Sequence, residues 1–179
     1  MLMKSSKRSP VPERWILNAS PLIVLARLGY EDLFSKLADQ VVIPQAVATE
    51  ILAGPEEDQA RQALEANQFT IVDAPSPPAE ILAWDLGDGE TDVLSLALSE
   101  AGWTAILDDA AARKCAQSFS VPIKGTLAVV ILAKQRGLIP SAAQVLRALR
   151  VSGFRLDDAL IRKVLARTVG EGWSSEQHP

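Results

Sequence analysis

Residues 15–29, WILNASPLIVLARLG, decide the fold. The apolar run Trp15 to Leu17 reads as a strand that stops on polar Asn18, and Ser20-Pro21 suits an N-cap with Pro at the first helical position. Leu22, Leu25, Ala26 and Leu28 then share one helical face, and Gly29 ends the segment. The same order of strand, polar break and helix recurs twice. VVI at 41–43 runs into a helix that starts at Pro44 and carries Val47, Ile51 and Leu52. Trp103 to Leu107 runs into Asp108 or Asp109, either of which would cap a helix bearing Ala112 and Cys115.

The intervening sequence fills in the same pattern. A short helix is expected near Glu31 to Ala38, a polar-faced helix at EEDQARQALEAN after the Gly54-Pro55 break, and a strand at Phe69 to Val72. Pro75, Pro77 and Pro78 make a stiff connection, followed by a helix from Glu90 to Ala101. Val121 to Ile123 reads as a last short strand. Three helices follow, around Leu127 to Gln135, Ala142 to Arg150 and Asp157 to Arg167. Strands that alternate with helices predict an α/β domain whose mainly parallel sheet is covered on both faces. Ligands of such sheets bind beyond the carboxyl ends of the strands, where Asn18 and Asp108 fall.

Composition narrows the chemistry. The 179 residues, 48% of them hydrophobic, suit one compact core, and no apolar run approaches the roughly 18 residues of a membrane span. MLMKSSKRSP has no apolar stretch of a secretion signal after its basic residues, so a cytoplasmic location is expected. With one His, His178, and one Cys, Cys115, the chain lacks the residues for a Ser-His-Asp triad, a Cys-His pair or a zinc cage. The net charge of -4 conceals a division: residues 1–109 hold 7 Lys+Arg against 18 Asp+Glu, and residues 110–179 hold 11 against 4. An acidic centre beside a basic flank suits a metal site that handles a polyanion; it equally suits solvated helix faces and a surface for an acidic protein.

Asn18, Glu50, Glu90 and Asp108 stand where elements turn. In an α/β fold of this order they can gather at one place. Gathered oxygen donors have few uses other than a hard divalent cation such as Mg²⁺ or Mn²⁺. Each also has a plainer reading. Asn18 suits a turn, Glu50 a surface helix position, Glu90 and Asp92 the first turn of a helix, and Asp108 and Asp109 an N-cap. Asp92 lies about 200° around the helix from Glu90, so the two do not readily face one ion. LGDGE at 86–90 is no dinucleotide loop, for it lacks a third Gly and follows no strand.

Taken in order, LNASPLIVLARLG, VVIPQAVATEIL, LGDGETDVLSLALSE, AILDDAAARKCA and VPIKGTLAVVILAKQRGLI resemble the PIN-domain family. The likeness is to a nuclease branch that opens on Asn-Ala-Ser-Pro-Leu and includes VapC-like toxins. It runs over 14–170, with flexible tails expected at 1–13 and 171–179. The resemblance implies a three-layer, Rossmann-like α/β/α domain. It also implies an Mg²⁺- or Mn²⁺-dependent endoribonuclease, often the toxin of a toxin–antitoxin pair, with RNA as substrate, a small antitoxin as partner and homodimerisation as a habit. The catalytic positions it implies are Asn18, Glu50, Glu90 and Asp108. Asn18, Glu90 and Asp108, with Asp109 and Asp92 as further candidates, would bind metal, while Lys124, Arg113, Ser20 and Thr126 would contact substrate. The chain departs from many active members in having Asn18 for Asp, an amide that brings no charge and cannot act as a base. A weakened module that binds RNA or a protein without cutting is the second reading.

Overall fold

The computed structural model describes residues 11–174. Five strands form one parallel sheet: β1 (Arg14–Leu17), β2 (Gln40–Pro44), β3 (Thr70–Val72), β4 (Trp103–Ile106) and β5 (Ile123–Lys124). Their order across the sheet is β3-β2-β1-β4-β5, every neighbour parallel, so the chain winds one way from β1 to β3 and the other way from β4 to β5. The reversal falls between β1 and β4. Such a switch point opens a crevice at the carboxyl ends of the two central strands, because the helices that follow them leave toward opposite faces.

Helices cover both faces: α1 (Ala19–Ala26), α2 (Leu33–Leu37), α3 (Gln45–Leu52), α4 (Gln59–Glu65), α5 (Ala79–Leu82), α6 (Asp88–Ser99), α7 (Ala110–Ser118), α8 (Thr126–Gln135), α9 (Ala142–Val151) and α10 (Asp158–Thr168). β4 is buried throughout and β1 from Trp15 onward, as expected for strands with neighbours on both edges and helices on both faces. The edge strands β3 and β5 are short and partly exposed, which limits unwanted pairing with other chains. In the core Trp15 meets Phe34 edge to face, ring centres 6.5 Å apart. Each such large apolar side chain contributes roughly 1.5–3 kcal/mol when fully buried.

Three local expectations change. α1 is capped by Asn18, not Ser20, with Pro21 inside the first turn; Asn18 makes no capping bond because its side chain is engaged elsewhere. The proline-rich connection contains the one-turn helix α5, which Pro78 starts with its fixed φ. The packed chain also runs past Gly170 to Trp173, where a tail was expected. The Trp173 indole N–H donates to Asp158 Oδ1 at 2.7 Å, and its ring lies beside the Arg150 and Arg147 guanidinium groups. The rest of both expected tails lies largely outside the described residues.

Candidate functional site

Asn18 follows β1 at the switch point. Its backbone N–H continues the ladder to the Ile106 carbonyl, and its side chain, 3% exposed, turns toward α6. There Asn18 Nδ2 donates to Glu90 Oε1 at 2.9 Å. The other half of the amide, Oδ1, is buried without a hydrogen-bond partner. An orphaned buried acceptor is costly, and its presence marks a place where a donor or cation belongs.

Glu50 and Glu90 reach the same place because α3 packs against α6. Gly89, in the first turn of α6, permits that approach: a Cβ on it would lie 3.1 Å from Asn18 Oδ1, 3.2 Å from Glu50 Oε2 and 3.3 Å from Val47. The amide and carboxylate oxygens therefore border one small hollow. Gly87 makes room next to it, since a Cβ there would sit 2.5 Å from Glu90 Oε2. Glycine inside a helix is unfavourable by propensity, and Gly89 stands there, while Gly87 is the N-cap, where glycine is accepted. That cost was the sequence signal for a crowded site. It was missed because the glycines were weighed only as a phosphate loop.

The carboxyl of Glu50 is held above its ordinary value, chiefly by partial burial and then by the charge of Glu90. Two acids at one hollow disfavour each other's ionised form, and a cation would relieve them.

Asp108, expected as a metal ligand with Asn18 and Glu90, is held by the start of α8. It follows β4 at the same end of the sheet, but its oxygens are turned to the start of α8: Oδ1 accepts from the Thr126 N–H at 2.8 Å and Oδ2 from the Thr126 hydroxyl at 2.6 Å. Thr126 is fully buried and positions Asp108. Gly125 leaves space there, for a Cβ would meet Arg113 Nη1 at 2.7 Å and Asp108 Oδ1 at 3.0 Å. Arg113 is pinned by donating to the Leu107 carbonyl at 3.0 Å. Lys124, half-buried at the end of β5, lines the same cleft as Asp108 and Arg113. Ser20 is half-buried in the first turn of α1.

Asp109 and Asp92 each have a backbone partner. Asp109 caps α7, accepting from the Ala112 N–H at 2.9 Å. Asp92 faces away from Glu90, toward the Ala46 N–H at the start of α3. Burial raises its carboxyl, that N–H opposes the rise, and Asp88 adds to it. Among the described residues no three His, Cys, Asp or Glu side chains converge as a metal cage. One amide and two carboxylates, from Asn18, Glu50 and Glu90, do gather, and Asp108 lies at the same end of the sheet. This smaller set still fits Mg²⁺ or Mn²⁺, which bind through one or two carboxylates and keep several waters, and Asn18 Oδ1 is a neutral oxygen already stripped of partners. Cys115 is buried and burial pushes its thiol up, so it is no nucleophile.

The family model described as a PIN domain, DUF3368, matches residues 14–170. No curated protein matches the chain.

Proposed function

This chain belongs to the PIN-domain family, whose fold is of nuclease type, and on that premise we propose that it is a divalent-metal-dependent endoribonuclease. The observation that carries this reading is the unpartnered Asn18 Oδ1, facing the hollow that Gly89 leaves between it and Glu50. Asn18, Glu50 and Glu90 would hold Mg²⁺ or Mn²⁺. When bound, such an ion supplies Lewis-acid charge for the phosphate and a more acidic water.

The residues of the chain do the rest. Glu50 and Glu90 disfavour each other's ionised form, so the pair would take up a cation in exchange for the proton that burial and mutual charge favour on Glu50. Asn18 Nδ2 holds Glu90 in place through Oε1. Thr126 fixes Asp108 in the lining of the cleft, and Arg113 and Lys124 offer positive charge to the phosphates on either side of the cut. Purified protein with Mn²⁺ is expected to cleave single-stranded RNA at least a hundredfold faster than the Glu90→Gln, Asp108→Asn double variant; equal rates would end the proposal.

Within the family likeness, the Asn-Ala-Ser-Pro-Leu opening supports a VapC-like toxin role, with a small antitoxin as partner and a homodimer as assembly. The second reading, a module that binds without cutting, is favoured by Asn18 itself, which supplies no charge. Asn18→Asp separates the two. A third acid at a buried position should lower apo stability by about 1–3 kcal/mol and tighten Mn²⁺ binding about tenfold by calorimetry. If cleavage rises with the affinity, the native site is an undercharged nuclease; tighter binding with no cleavage assigns the chain to the second reading.

A further inference from the structure

The cleft lined by Asp108, Arg113 and Lys124 extends beyond those three residues. It continues as a cavity of about 710 Å³ between α8 and α10, closed on one side by the 154–157 turn. That volume lies within the roughly 300–1,000 Å³ of small-molecule sites. Its two ends differ in chemistry. The inner end carries Asp108, Arg113 and Lys124. The body is apolar, with Leu127 and Ile131 from α8 facing Leu160 and Ile161 from α10, and Phe154 and Arg155 stand at its side.

Three features select the occupant. Arg113, Lys124 and Arg155 form no ion pair among the described residues, so three cations along one cavity await anions. Arg113 is held rigid by the Leu107 carbonyl, which spares the entropy of ordering it on binding. The acids present are already engaged, Asp108 by Thr126 and Asp157 as the cap that accepts from the Leu160 N–H at 2.7 Å. A ligand with an anionic backbone and flat apolar rings matches this division: phosphates on the cations, a base or two against Phe154 and the Leu160 wall.

We propose that this cleft is the base-binding subsite for single-stranded RNA, seating the nucleotides next to the phosphate presented to the Asn18, Glu50 and Glu90 hollow. The proposal rests on the nuclease reading for its direction, but binding in the cleft needs no metal. It predicts that unpaired strands are preferred, because a duplex keeps its bases stacked inside.

The test is fluorescence anisotropy of a labelled eight-nucleotide single-stranded RNA with the full chain in EDTA, where metal-dependent cleavage plays no part. Leu160 is 49% exposed, so Leu160→Glu places a carboxylate in the cleft without emptying the core. Leu160→Glu is expected to weaken binding about tenfold and Arg155→Ala about threefold, with a smaller salt dependence for the latter. Ile71→Glu, on β3 at the opposite edge of the sheet, is expected to bind as the native chain does, and a duplex of the same sequence at least fivefold less tightly. Circular dichroism confirms that each variant is folded.

Unchanged affinity in both cleft variants overturns the proposal, and so does loss of binding in Ile71→Glu to the same degree. If Leu160→Glu spares RNA affinity but abolishes binding of a co-purifying protein, the groove belongs to a protein partner and the proposal is wrong. Cleavage with Mn²⁺ that ignores the cleft variants in KM would sink the subsite and leave the nuclease standing. RNA binding that the variants weaken, without cleavage under any metal, would sink the nuclease and leave the subsite.

Discussion

Gly89 shows how one missing methyl group can separate stability from function. Its Cβ would be placed tighter against Asn18 Oδ1, Glu50 Oε2 and Val47 than ordinary contact allows, so those neighbours would yield by a few tenths of an ångström. Against that stands the gain of about 1 kcal/mol that alanine has over glycine within a helix. We expect the terms nearly to cancel in Gly89→Ala, with thermal stability unchanged to within about 1 kcal/mol. Mn²⁺ affinity should nevertheless fall about tenfold by calorimetry, because two of the three donors that face the hollow are displaced. A large stability loss with intact metal binding would show that the glycine serves packing alone. Asn18 and Glu90 stood out because they sit at the end of a strand and the start of a helix, whereas Glu50 lies within α3 and its place came from the family likeness. The roles of Gly87, Gly89 and Gly125 were not legible, because the atoms they make way for come from distant parts of the chain.

Among the elements, α9 carries the clearest test of a local rule. Ser141 caps it, accepting from the Gln144 N–H, and Glu171 completes the cap from outside, taking the Ala142 N–H at 3.1 Å and the Ala143 N–H at 2.7 Å. Burial tends to raise the carboxyl of Glu171. The two N–H groups, the Ser141 hydroxyl and Lys134 outweigh it, so the acid lies below its usual 4.5. A depressed acid adds stability in full above its unfolded value and loses it as pH falls through the folded one. Glu171→Ala is therefore expected to cost about 1–2 kcal/mol at neutral pH, with the gap to the native chain closing below about pH 4 in thermal melts. A gap independent of pH would assign the loss to packing. Helix positions follow periodicity closely here, as in α8 and α9. The docking of 171–173 escaped notice because Glu and Trp near a chain end carry no period, and their partners lie in α9 and α10.

For the whole molecule, the decisive pairing is β1 with β4, Arg14 opposite Trp103. It joins the two wings of the sheet, and it sets the Asn18 side of the switch point beside the strand that leads to Asp108. A fragment ending at Ser99 would leave Ile16 and Leu17, both fully buried in the intact chain, along an open strand edge. Such a fragment is expected to show no cooperative melting by circular dichroism, whereas a sharp transition would mean that the first half is a domain by itself. The sequence by itself determined the α/β class, the parallel sheet and the breaks that hold the polar residues. Those follow from local alternation of apolar runs and helical spacing, which each segment carries within itself. Only the tertiary structure decided that Asn18, Glu50 and Glu90 share one hollow while Asp108 turns to Thr126, Asp92 to α3 and Asp109 to its own helix. A carboxylate's direction depends on which N–H or hydroxyl group arrives beside it, and those groups come from other elements whose placement no local pattern encodes.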